Sequence, residues 1–131
     1  MAHPVMFDDD DPYLARLRTL CHGYPGVEEQ VSHGRPVFRA KRIFATFGGS
    51  EKLAPGDHRQ VPAALIFKPD DDEAVALADD PRFFVPAYYG PHGWLALDLA
   101  DPDTDWEEVA ELVDASYRNI APAKLIAQLD A

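Results

Sequence analysis

Four cations fall within eight residues of this chain: Arg35, Arg39, Lys41 and Arg42, with Phe38 and Phe44 among and beside them. Guanidinium and ammonium groups on a projecting β-ribbon can hold phosphates, and a two-stranded ribbon fits the major groove of duplex DNA. The same charges also serve a plainer purpose, since charged residues keep an exposed hairpin from pairing with other chains. A second concentration of chemistry is aromatic: Tyr88, Tyr89, His92 and Trp94 lie in a stretch punctuated by Gly90, Pro91 and Gly93. Loops of this composition, set on a rigid scaffold, commonly line small-molecule sites. A third is acidic, in Asp8–Asp11, Asp70–Glu73 and the acids between Asp98 and Glu108. Carboxylates are hard oxygen ligands suited to calcium, magnesium or iron, but these match no EF-hand spacing and mostly stand where helices begin, so no metal site is assigned.

Other combinations point away from catalysis. The five histidines show no i, i+4 pairing and no cysteine at zinc spacing, which argues against a structural zinc. Ser32 and His33 are adjacent on an extended segment and face opposite ways, so they form no nucleophile–base pair by themselves. Gly48-Gly49-Ser50-Glu51-Lys52 lacks the spacing of a phosphate-binding loop. Cys21 falls on the apolar stripe of a helix, where a buried thiol is an inert small hydrophobe. No catalytic residue and no cofactor is expected.

The elements that position these groups belong to one domain, since 131 residues suffice for a single core. With 47% hydrophobic and 27% charged residues, the composition is that of a globular chain. No apolar run approaches the roughly 18–20 residues of a membrane span, and Met1 to Asp11 lacks the pattern of a secretory signal. A single cysteine suits a reducing compartment, so the expected location is the cytoplasm. The net charge of −11 is unevenly spread: −2 over residues 1–26, +2 over 27–62 and −11 over 63–131. Long-range repulsion therefore sets any binding to duplex DNA as weak, through the one basic segment.

Residues 1–10 read as a disordered acidic segment preceding a domain over 11–131. Asp11 and Pro12 open a helix with Leu14, Leu17, Cys21 and Tyr24 on one face, ending near Gly23. Alternation then predicts strands over Val27–Ser32, Val37–Arg39, Ile43–Phe47 and Ala63–Lys68, with a charged hairpin tip near Lys41. Gly48-Gly49 reads as a strand end, and Glu51–Pro62 as a loop. A short helix follows Asp70, Phe83–Tyr89 reads as irregular or an edge, and Trp94–Leu99 is the last strand. Thr104 and Glu107 have the spacing of a capping box for a helix with Trp106, Ala110, Val113, Tyr117 and Ile120 facing inward, where Trp106 would anchor the core. Lys124–Leu129 forms a tail helix. Consecutive strands without intervening helices give an α+β fold, an antiparallel sheet with the end helices packed on one face.

Five blocks in order carry a resemblance: Tyr24-Pro25-Gly26-Val27-Glu28-Glu29, His33-Gly34-Arg35-Pro36-Val37-Phe38-Arg39, Arg42-Ile43-Phe44-Ala45, Tyr89-Gly90-Pro91-His92-Gly93-Trp94 and Ser116-Tyr117-Arg118-Asn119-Ile120-Ala121-Pro122. Together they resemble the MmcQ/YjbR family over nearly the whole chain. The chain departs from that pattern at His33, where the family often has Trp, and at Ala40-Lys41, where it has a glycine. The resemblance implies a small bacterial domain with a frataxin-like, double-wing fold and a DNA-binding label. On this basis the first expectation is a non-enzymatic domain that binds duplex DNA weakly through Arg35, Arg39, Lys41 and Arg42. The alternatives are a small-molecule or protein-binding module with a pocket at Tyr88, Tyr89, His92 and Trp94, and an acidic metal binder. No membrane partner is expected, and the oligomeric state is not fixed by the sequence.

Overall fold

A computed structural model describes residues 4–131. Helix α1 (Pro12–Cys21) starts where the Asp11 carboxylate accepts hydrogen bonds from the Tyr13 and Leu14 amides at 2.8 and 3.4 Å. These satisfy two amides that have no partner within the helix, and Pro12 stands at a position where no amide is needed. Three strands follow as two hairpins: β1 (Glu28–Ser32), β2 (Arg35–Ala40) and β3 (Arg42–Ala54). His33 and Gly34 make the first turn with φ of 52° and 82°, the two-residue geometry whose twist matches the flanking strands. Lys41, φ 69°, is the tip of the second.

The expected loop over Glu51–Pro62 is instead the far end of a long hairpin. Strand β3 continues to Ala54 and pairs antiparallel with β4 (Asp57–Phe67) across Pro55-Gly56. Gly56 has φ 76°, as a proline–glycine turn requires. Gly48-Gly49 does not end the strand either: the register shifts between Phe47 and Gly49, and pairing resumes at Gly49↔Val61. Helix α2 (Asp71–Ala78), the two-residue edge strand β5 (Phe83–Phe84), β6 (Leu95–Asp98), α3 (Trp106–Ile120) and α4 (Ala123–Leu129) complete the chain. The result is a six-stranded antiparallel sheet in the order β1-β2-β3-β4-β6-β5, an α+β fold.

Period-two alternation gives the sheet two faces of different character. On one, Phe38, Phe47, Leu65, Phe67, Leu95 and Leu97 pack with the buried stripes of α1 and α3. The buried stripe of α3 is Val109, Leu112, Val113, Ser116 and Tyr117: Val113 and Tyr117 are buried as expected, Trp106 and Ile120 pack at the margin of the core, and Val109, Leu112 and Ser116 widen the inward face. Trp106 is only half-buried: it packs at the margin of the core, with the Arg16 guanidinium 4.0 Å from its ring. The helix is capped by Asp105, which accepts from the Glu107 amide at 2.9 Å, while the Thr104 hydroxyl donates to the Asp98 carbonyl. On the other face Val61, Ala64, Ile66, Phe84 and Ala96 form a smaller cluster, covered in part by Tyr89 and Trp94.

The acidic segment before α1 is docked over its described part, Pro4–Asp10. The Met6 amide donates to the Gly34 carbonyl at 2.8 Å, Phe7 packs on the core, and Asp9 pairs with Arg18. Residues 1–3 of that segment lie outside the described residues.

Candidate functional site

The half of the second sheet face that no helix covers forms a hollow of about 760 Å³. Strand pairing builds its floor. Thr46 of β3 lies beside Val37 of β2 and Ile66 of β4, and all three share this face. Arg35, two residues before Val37 on β2, projects the same way and turns across β3. It can do so because Gly48, φ 86°, leaves the space empty: a Cβ there would run into Arg35 Nη1. One further wall is Gln60 on β4, whose Oε1 accepts from Arg35 Nη2 at 3.1 Å. The segment after β5 supplies the opposite wall. It is tied to the end of β3 by the Ala87 amide, which donates to the Ser50 carbonyl at 2.7 Å. This places Tyr88 and Tyr89 at the hollow.

Two features of the site's chemistry stand out against the rest of the molecule. The chain carries 23 acids, yet among the described residues no Asp or Glu lines the hollow, and Arg35 is its only Lys or Arg. Burial pulls the affinity of the Arg35 guanidinium for its proton below the ordinary value, with the nearby Tyr89 phenol acting in the opposite sense. The second feature is Thr46, 2% exposed, whose hydroxyl has no hydrogen-bond partner among the described residues. A buried hydroxyl left in that condition costs about 1–3 kcal/mol.

At the rim, Tyr88 is 83% exposed and holds a left-handed backbone, φ 72°. Non-glycine residues adopt that conformation at a cost, and it clusters at functional sites. Its ring lies parallel to that of His58, with centroids 6.4 Å apart and planes 10° off. Both rings also border a second hollow of about 770 Å³ toward Lys52 and Val85.

The expected site residues are therefore redistributed. Of the aromatic set, Tyr88 and Tyr89 reach the hollow; His92 belongs to an exposed 3-10 turn, Gly90–His92, and Trp94 stands behind Tyr89 with ring centroids 5.9 Å apart. Neither His92 nor Trp94 lines it. The four cations do not converge. Arg35 enters the hollow, and Arg39 contacts the Gln30 side chain and the Lys41 carbonyl. Arg42 reaches the opposite side of the sheet, where it donates to the Ile120 carbonyl at the end of α3. Arg118, another residue of the resembling motifs, joins Asp114 to Asp130 and so ties α3 to α4. Thr46, His58 and Gln60 were not picked out by the sequence. The visible signal for them was the Gly48-Gly49 pair inside a β-branched and aromatic run, which marks a close approach rather than a strand end.

The acids find local uses: Asp11 and Asp105 cap helices, and Asp80 and Glu108 hold Arg82. Among the described residues, no three His, Cys, Asp or Glu side chains are grouped so as to hold a metal. Nor, among them, is any helix long and apolar enough to cross a membrane.

No curated protein matches the chain. The family model that does match, YjbR, covers residues 22–119, from the end of α1 through α3. That span contains every lining residue of the hollow apart from Met6. The chain belongs to the YjbR family.

Proposed function

We propose that this YjbR-family domain is a non-enzymatic binding module whose ligand is a small molecule seated in the hollow on the open face of the sheet. The observation that carries the reading is the Thr46 hydroxyl, buried on the floor of that hollow without a partner. An unsatisfied buried hydroxyl is tolerated where a ligand completes it, and the hollow's volume lies in the range of small-molecule sites. Duplex DNA is the other candidate, and it needs several cations tracking one phosphate backbone. Arg35 is occupied in the hollow and Arg42 at the end of α3, which leaves the half-buried Arg39 and the exposed Lys41 in a chain of net charge −11.

Amide NMR spectra of the isotopically labelled protein separate the two. A mixture of small aromatic fragments is expected to shift Gly48, Gly49 and Tyr89 and to leave Lys41 unmoved. Duplex DNA at low salt is expected to shift neither set. Shifts at Arg39, Lys41 and Arg42 with DNA, and none at the glycines with fragments, would replace the small-molecule reading with the nucleic-acid one.

A further inference from the structure

We infer that the hollow is built for an aromatic carboxylic acid, with the carboxylate on Arg35 and Thr46 and the ring against Tyr88, Tyr89 and His58. The inference rests on the binding-module reading and adds the ligand's chemistry to it. Charge comes first. A guanidinium drawn into a part-buried site, with a neutral glutamine and no carboxylate beside it, is an anion receptor in waiting. Its Nη2 is engaged by Gln60, and the remaining N–H groups stay available to a two-oxygen acceptor. Among the described residues Arg35 is the only Lys or Arg at the site, with the imidazoles of His33 and His58 as the other basic groups lining it. A carboxylate's single charge matches that guanidinium; a phosphate monoester carries up to two, and its second would have only an imidazole to meet it in a chain already at −11.

Hydrogen bonding comes second. The Thr46 hydroxyl lies just under the floor with no partner among the described residues, and a rotation of its side chain would let it donate to an acceptor on Arg35, turning an unmade bond into a charge-assisted one. The walls come third. Ile66 and Ala87 are apolar, and Tyr88 and His58 present nearly parallel rings at the mouth. Flat faces of this kind select a planar ring through offset or edge-on contacts. The exposed, left-handed Tyr88 is the residue best placed to settle onto it.

The test is calorimetric titration of the full chain with 2-naphthoate, with its neutral counterpart 2-naphthamide, and with inorganic phosphate as competitor. The acid is expected to bind at least ten-fold more tightly than the amide, with phosphate displacing it only at far higher concentration. Arg35→Gln should bring acid and amide to within about two-fold, Arg39→Gln should leave the preference intact, and thermal midpoints should report that both variants fold. The comparison of acid with amide on the unaltered protein needs no variant at all. Equal binding of the two would overturn the inference while the small-molecule reading stands. Phosphate competing as strongly as naphthoate would overturn the aromatic part. Absence of binding by either compound, with the fragment mixture also silent at Gly48 and Gly49, would overturn both readings together.

Discussion

Each face of the sheet buries a small hydroxyl side chain, Ser116 on one and Thr46 on the other, and the two are treated in opposite ways. On the helix-covered face Ser116, fully buried, donates to the Phe44 carbonyl and accepts from the Lys68 amide, so α3 is stitched to β3 and to the end of β4. On the open face the hydroxyl of Thr46, 2% exposed, has no partner among the described residues. The covered face also places its aromatic groups in full company: Tyr117 stands edge-on to Phe44 at 5.3 Å, and its hydroxyl donates to the Pro25 carbonyl at 2.7 Å. The open face instead leaves Tyr88 strained and solvent-exposed. One face is finished by folding, and the other carries the site proposed for a ligand.

The comparison breaks most visibly where the covered face is most complete. Tyr117→Ala removes a fully buried ring and its hydrogen bond, and is expected to cost about 3–5 kcal/mol, read from urea unfolding. A loss below about 1 kcal/mol would mean that the packing of α3 has been misjudged. Ser116→Ala leaves a carbonyl and an amide unpaired in the interior, and should cost about 1–3 kcal/mol by the same measurement.

The edge of the covered face adds a pH dependence. Burial pushes the Glu29 carboxyl upward, but hydrogen bonds from Arg18 and His22 outweigh it and hold the group below its ordinary value of 4.5. A carboxylate depressed in the folded state stabilises above the unfolded value, and that contribution is lost as pH falls through the folded one. Glu29→Gln should therefore cost about 1 kcal/mol at pH 7, and progressively less as pH drops below 4.5. A difference that stays constant from pH 7 down to pH 2 would show that the link to α1 is not ionic.

Much of the covered face was legible in the sequence, because periodicity reports burial against a single partner. Leu14, Leu17 and Cys21 at helical spacing, and Leu95, Leu97 and Leu99 in alternation, are buried as those patterns require. The stripe of α3 was legible in part: Val113 and Tyr117 are buried as expected, and Val109 and Leu112 are buried beside them. Trp106, the bulkiest apolar residue near its start, directly follows the Asp105 cap and packs only at the margin of the core, while Val109 and Leu112 are fully inward. The site was legible only in fragments. Arg35, Tyr88 and Tyr89 were visible by residue type, whereas Thr46, Gln60 and His58 meet them only through strand register, which is set by the bulge at Gly48. The long β3–β4 hairpin was hidden for the same reason, since Gly48-Gly49 and Pro55-Gly56 look alike as punctuation, and only the second is a turn.

The contrast between the two hydroxyls reduces to one experiment: stability and 2-naphthoate affinity of Thr46→Val, measured on the same preparation. Valine has threonine's shape without the hydroxyl, so the variant removes the unsatisfied group and leaves the packing in place. The expected result is a protein as stable as the parent, or more stable by up to about 1 kcal/mol, that binds naphthoate at least three-fold more weakly. A variant that loses more than about 1 kcal/mol of stability with its affinity unchanged would make Thr46 part of the scaffold, and would contradict a face left open for a ligand.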